Sequence, residues 1–132
     1  MFNSSCPDAL FALVIQPDGA FEIIEWPTSS RDHLRTLYTT IKCHLVQPVD
    51  LPGLTMWVDE EGILTGQPAN IPATKLCASI QPVNQRFHGT AVFTGAPDHY
   101  GSTQGLTRDR TLSLTEHYLT ALDAKVPSQR TR

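Results

Sequence analysis

The chain predicts an α+β domain: an antiparallel or mixed sheet of about four to five strands with two helices packed on it. Three observations carry this. Short β-rich runs are punctuated by Gly, Pro, Asp and Asn; two segments switch to helical spacing; and 132 residues with 40% hydrophobic content suffice for one core without covalent staples. The domain is expected over residues 9–126, with flexible tails at 1–8 and 127–132.

The first half reads as a hairpin and a helix. Ala9 to Ile15 and Ala20 to Trp26 are β-rich and joined by Gln16-Pro17-Asp18-Gly19, where Pro suits the second turn position and Asp-Gly favours reversal. Pro27 ends the strand. Ser29 or Ser30 caps a helix, Asp32 completes the pattern of a capping box, and Leu34, Leu37, Tyr38, Ile41 and Leu45 share its apolar face.

The second half returns to strands. Val46 to Asp50 contains Pro48 and belongs at an edge or in a loop. Leu54 to Val58 and Ile63 to Thr65 are expected to pair across the acidic turn Asp59-Glu60-Glu61-Gly62, with Gly62 at positive φ. Prolines 68, 72 and 82 forbid a long helix between Gln67 and Val83, although Ala73 to Ile80 has room for two turns. Gly89 to Thr94 is an apolar run suited to a central strand. After the loop Gly95 to Gly105, Thr107 caps a final helix bearing Leu112, Leu119, Leu122 and Val126, with Asp109 near its positive end.

A Trp-Val-Asp-Glu-Glu-Gly-x-Leu-x-Gly-x-Pro-x-Asn run, then Ala73-Thr74, Gly89, Thr94-Gly95 and Gly105-Leu106-Thr107 opening the last helix, resembles a family of short bacterial, phage and plasmid proteins catalogued as a domain of unknown function. The anchors are Asp59 to Gly62, Gly66, Pro68, Asn70 and the residues just named, and the pattern spans Leu10 to about Leu122. The resemblance implies a single small α+β domain often carried on mobile elements, and it brings no catalytic residue with it.

Charge and cysteine content narrow the function classes. Ten Lys plus Arg against 13 Asp plus Glu give a net charge of −3, so bulk electrostatics do not attract a phosphate backbone. The arginines at 108, 110, 130 and 132 are too dispersed to fix a binding face. Cys6, Cys43 and Cys77 are odd in number and lack Cys-x-x-Cys spacing, which argues for reduced thiols in a cytoplasm. The first residues lack a positive n-region, and Ala9 to Ile15 is too short to span a membrane.

Candidate chemistry is thin. Asp59, Glu60 and Glu61 read as a solvated turn, because adjacent turn carboxylates splay apart. Asp98 and His99 with His88 or His117 lack zinc-ligand spacing, and Cys43-His44 are helix-end neighbours that point apart, so no cofactor, metal or catalytic residue is expected. Phe93 and Trp57 are expected in the core, while Tyr100 is the most exposed aromatic.

The expected function is therefore a small non-catalytic accessory or regulatory protein of a mobile element or its bacterial host, contacting a protein partner or a second copy of itself. The contact surface is the loop carrying Gly95, Asp98, His99, Tyr100, Gly101 and Gly105, together with the acidic turn Asp59, Glu60 and Glu61. The rival is a small-molecule pocket protein or minor hydrolase using Asp98, His99 and His117. The cysteine count generates one test: thiol titration of the denatured protein should find three reactive groups, and a chelator should leave the melting temperature unchanged. Fewer thiols or chelator-induced unfolding would overturn that reading.

Overall fold

A computed structural model describes residues 8–123; Cys6, Val126 and most of both expected tails lie outside them. The elements run β1 Leu10–Ile15, β2 Phe21–Trp26, α1 His33–Ile41, β3 Val46–Leu51, β4 Leu54–Asp59, α2 Ile71–Ile80, β5 Ala91–Gly95 and α3 Arg108–Asp123. All five strands join one antiparallel sheet in the order β2-β1-β5-β4-β3. The class is α+β as expected, with three α-helices among the described residues in place of two.

Side-chain alternation builds a layer on each face of the sheet. Leu13 and Ile15 of β1, Met56 and Val58 of β4 and Ala91 and Phe93 of β5 point to one face, where they pack with Leu76 and Cys77 of α2 and Leu114 and Tyr118 of α3. Ala12, Val14 and Val92 point to the other, under Leu37 and Ile41 of α1. Trp57 packs against this second cluster, and its indole N–H donates to Thr94 Oγ1 at 3.0 Å. Phe93 is fully buried at the centre, in line with the central strand expected there.

Local sequence explains the turns. Gly19 takes a φ of +95° in the β1–β2 turn, and Asp18 Oδ1 accepts from the Ala20 N–H at 2.9 Å. Tyr118 reaches back from α3 and donates to Gly19 O at 2.6 Å, with its ring edge-on to Phe21, which ties the last helix to the first hairpin. Burial, then the charge of Asp18, pushes the Tyr118 phenol above its ordinary range. Thr107 Oγ1 accepts from the Arg110 N–H at 3.2 Å and caps α3 as its sequence position predicts.

Three expectations need correction. The acidic turn does not join two strands: β4 pairs with β3 across Pro52-Gly53, and residues 60–66 form successive tight turns, so Ile63 to Thr65 is not a strand. Pro52 followed by a Gly at φ +71° is a two-residue reversal that the Asp-Glu-Glu run cannot match. Gly62 is not at positive φ; a side chain there would instead place its Cβ 2.9 Å from His88 O, so close approach is the reason for glycine. Finally, α1 begins after a 3-10 turn at Ser30–Asp32 with no side-chain cap, and it stops at Lys42, whose φ of 63° is left-handed. Leu45 therefore falls outside the helix, and Leu34 is half exposed.

Asn70 is completely buried and joins three elements. Its Nδ2 donates to Ile15 O at 2.9 Å and to Gly89 O at 2.8 Å, and its Oδ1 accepts from the Ala73 N–H at 3.0 Å as the N-cap of α2. Pro72 sits in the first turn of that helix, where its missing N–H costs nothing. Replacing Asn70 by Ala strands two carbonyls and one amide in the core, and the expected loss is about 3 kcal/mol or more in urea unfolding. Asn70→Asp should not recover it, because a carboxylate cannot donate to the two carbonyls; a wild-type midpoint in either variant would refute the assignment.

Candidate functional site

The register puts the two expected contact segments at opposite ends of the sheet. Ile15 is opposite Ala91 and Trp57 is opposite Val92, so Asp59 and the turns after it lie at the end where β5 begins. Leu54 is opposite Gly95, so the 95–105 loop leaves from the other end, beside the Pro52-Gly53 turn. The acidic turn and the glycine-rich loop do not form one surface.

At the first end, Asp59 Oδ1 accepts from the Glu61 N–H at 2.9 Å, and the Gly62, Thr65, Gly66 and Gln67 N–H groups each close a turn onto a preceding carbonyl. The segment then lies against residues 87–89, held by Asn70 N–H to Phe87 O at 2.6 Å, Gly89 N–H to Pro68 O at 2.8 Å and His88 Nδ1 to Gln67 O at 3.1 Å. These bonds leave two adjacent apolar side chains outside: Ile63 is 71% exposed and Leu64 85%. Beside them runs a groove of about 350 Å³ with Val58 and Phe87 at its base and Asp59, Glu60, Arg86 and His88 on its rim. Glu60 is exposed and Glu61 half-buried.

At the second end, Asp98 organises its own loop. Its Oδ1 accepts from the N–H groups of Tyr100 at 2.9 Å and Ser102 at 3.0 Å, and its Oδ2 accepts from Gln104 Nε2 at 3.1 Å. Gly95 and Gly105 serve packing: a Cβ on Gly105 would come 2.7 Å from Leu10 Cβ and 2.9 Å from Trp26 Cβ, and one on Gly95 would come 3.1 Å from Gln104 O. Gly101 takes a φ of +83° with open space around it. What the loop presents is His99 and Tyr100, whose rings lie 4.1 Å apart, with Tyr100 84% exposed.

His117 belongs to a third place. It lines an open groove of about 370 Å³ beside α3, with Pro52, Leu54, Ile80 and Leu114 as apolar floor and Asp109, Arg110 and Ser113 beside it. Neither Asp98 nor His99 lines this groove. His117 Nε2 lies 2.8 Å from Ser79 Oγ, a pair separated by 38 residues that no sequence spacing signals. The Ser79 hydroxyl also donates to Leu76 O at 2.6 Å. Arg110 is drawn across the groove to Gly53 O at 2.6 Å.

Neither of the two described thiols sits in a site that would activate it. Burial, then the Asp59 charge, pushes Cys43 above the ordinary thiol range, and burial pushes Cys77 up to about 12, so neither supplies thiolate at neutral pH. Among the described residues no three His, Cys, Asp or Glu side chains gather closely enough to hold a metal ion, and no helix is long and apolar enough to cross a membrane.

Sheet, helices and surface define a small α+β domain whose distinctive features are exposed apolar or aromatic knuckles on hydrogen-bonded turns. The chain belongs to the family described as Domain of unknown function (DUF3846), whose model matches residues 10–119. No curated protein and no solved structure matches it.

The loop chemistry separates scaffold from surface. Asp98→Ala should cost about 1 to 2 kcal/mol by releasing three hydrogen bonds, whereas Tyr100→Ala should stay within about 0.5 kcal/mol of wild type in thermal unfolding. Equal effects from the two substitutions would contradict the division.

Proposed function

We propose that the protein is a small non-catalytic accessory or regulatory binding protein of a mobile element or its bacterial host, working in the cytoplasm through contacts with a protein partner. The observation that supports this reading most directly is the Ile63–Leu64 knuckle. Adjacent branched apolar side chains at 71% and 85% exposure sit on a segment that the surrounding turns fix in place. Burying each such side chain in a partner is favourable by about 1.5 to 3 kcal/mol, and a pre-organised turn avoids much of the ordering cost. Acidic residues beside an apolar pair give the contact a polar rim and select a partner with basic groups around an apolar pocket.

The His99–Tyr100 tip is a second contact at the other end of the sheet, a placement that suits separate partners or separate parts of one extended partner. An amphiphilic small molecule in the Leu54–Ile80–Leu114 groove is the alternative reading, supported by that groove's apolar floor and polar border. The charge balance of −3 weighs against nucleic acid.

The double substitution Ile63→Ser, Leu64→Ser tests the main reading. Partner capture from host lysate should fall at least about tenfold while the melting temperature stays near wild type, because both side chains start in water. Undiminished capture by a folded double variant would remove the knuckle from the function, and a ligand seen in native mass spectrometry that a bulky Ser113 replacement displaces would favour the groove.

A further inference from the structure

The sheet has two edges, and they are finished differently. The Glu60 N–H donates to Leu45 O, so by antiparallel alternation Gln47, Val49 and Leu51 bond to β4 while Val46, Pro48 and Asp50 turn their backbone groups outward. Pro48 has no N–H to offer there, and Asp50 O is already taken by Gln81 Nε2 at 3.1 Å. The β3 edge is closed to another strand.

The β2 edge carries neither device. The Gln16 N–H donates to Ala20 O and closes the first hairpin, so Glu22, Ile24 and Trp26 exchange bonds with β1 and the backbone groups of Phe21, Ile23 and Glu25 point outward. Among the described residues nothing accepts or donates to this row, and β2 pairs with β1 alone. Phe21, Ile23 and Ile24 are only partly covered. The strand reads Phe-Glu-Ile-Ile-Glu-Trp, without proline, lysine or bulge.

We propose that β2 is the interface with a second copy of this chain, the two β2 strands pairing antiparallel about a two-fold axis at Ile23 to give one continuous sheet. Only outward-facing residues can meet, so 21, 23 and 25 of one copy must lie opposite odd-numbered residues of the other. With Ile23 opposite itself, Phe21 faces Glu25, and Glu22 faces Ile24. No glutamate faces a glutamate, and each partly covered apolar side chain gains a cross-strand neighbour. A slip of two residues one way sets Glu22 against Glu22; a slip the other way sets Phe21 against Pro27, which lacks an N–H. Glu22 and Glu25 stand perpendicular to the sheet, so they decide the register and do not block the edge. The strand's own sequence is thus complementary to itself at one register, which singles out a second copy from the strands that could add here. β1 and β5 separate this edge from β4, whose end leads into the Ile63–Leu64 knuckle, and the inference stands independently of the function proposed above.

Residue-resolved amide exchange of the full chain in dilute and concentrated samples, with sedimentation to give the mass, tests it. The amides of Glu22, Ile24 and Trp26 are protected by β1 at any concentration, while those of Phe21, Ile23 and Glu25 should gain at least about tenfold protection as a species of twice the chain mass forms. Ile23→Pro, which removes an outward N–H that the β1 ladder does not use, should yield a folded monomer, and Ile23→Lys should do the same by setting two cations face to face. A chain that stays monomeric at every accessible concentration, a dimer whose three outward amides exchange freely, or a folded Ile23→Lys protein that still dimerises would each overturn the proposal.

Discussion

The structure depends on one amide side chain. Asn70 is fully buried, yet both of its side-chain polar atoms have partners: Nδ2 donates to two carbonyls, from β1 and from the lead-in to β5, and Oδ1 accepts from one amide in the first turn of α2. Its backbone is equally committed, with its N–H on Phe87 O and its carbonyl accepting from both the amide and the hydroxyl of Thr74. A buried polar group that is fully paired specifies geometry more sharply than an apolar one, because any other arrangement leaves donors or acceptors unsatisfied in a low dielectric. One residue thereby sets where α2 starts, how it meets the sheet and where the segment that follows the 60–66 turns must run. The exposed knuckle at Ile63–Leu64 is held in place by the same bonds.

The second constraint is steric. Gly62 and Gly105 stand where a Cβ would meet backbone or side-chain atoms within 3 Å, so each lets two segments approach more closely than any other residue allows. The first brings the turns after β4 onto His88; the second brings the end of the 95–105 loop onto Leu10 and Trp26. The chain's two prominent surface features are therefore seated on close contacts, the first with the His88 carbonyl and the second with the Leu10 and Trp26 side chains, which explains how segments without regular structure keep a fixed shape.

Much of the fold was legible because its signals are local. The Asp-Gly reversal between β1 and β2, the Thr107 cap, the edge position implied by Pro48 and the apolar run of β5 each follow from a few neighbouring residues. The misplaced second hairpin turned on competition between neighbours. Pro52-Gly53 makes a better hairpin turn than Asp59 to Gly62, so β4 pairs backward with β3 and the Ile63-Leu64 pair, apolar enough to read as a strand, is left outside. Long-range polar pairings were less legible for a different reason: Ser79 with His117, and Asn70 with Ile15, meet only when the sheet and helices are assembled. Asp98 shows the limit of composition, since the acid that looks available for recognition spends both oxygens on its own loop.

The strand order has a consequence for how the chain is made. The central strand of the sheet is the last to be synthesised, and it separates two hairpins that have no direct strand pairing with each other. Until residues 91–95 have emerged, a nascent chain can form both ribbons but cannot join them, and an isolated two-stranded ribbon is marginal in water. Its apolar faces also await α2 and α3, one of which is itself still unmade. Assembly is thus deferred and then concerted: a late segment must enter between two preformed edges, closing long loops in one step. A fragment ending ahead of Ala91 lacks the strand that joins the two hairpins and the Ala91 and Phe93 side chains at the centre of the core.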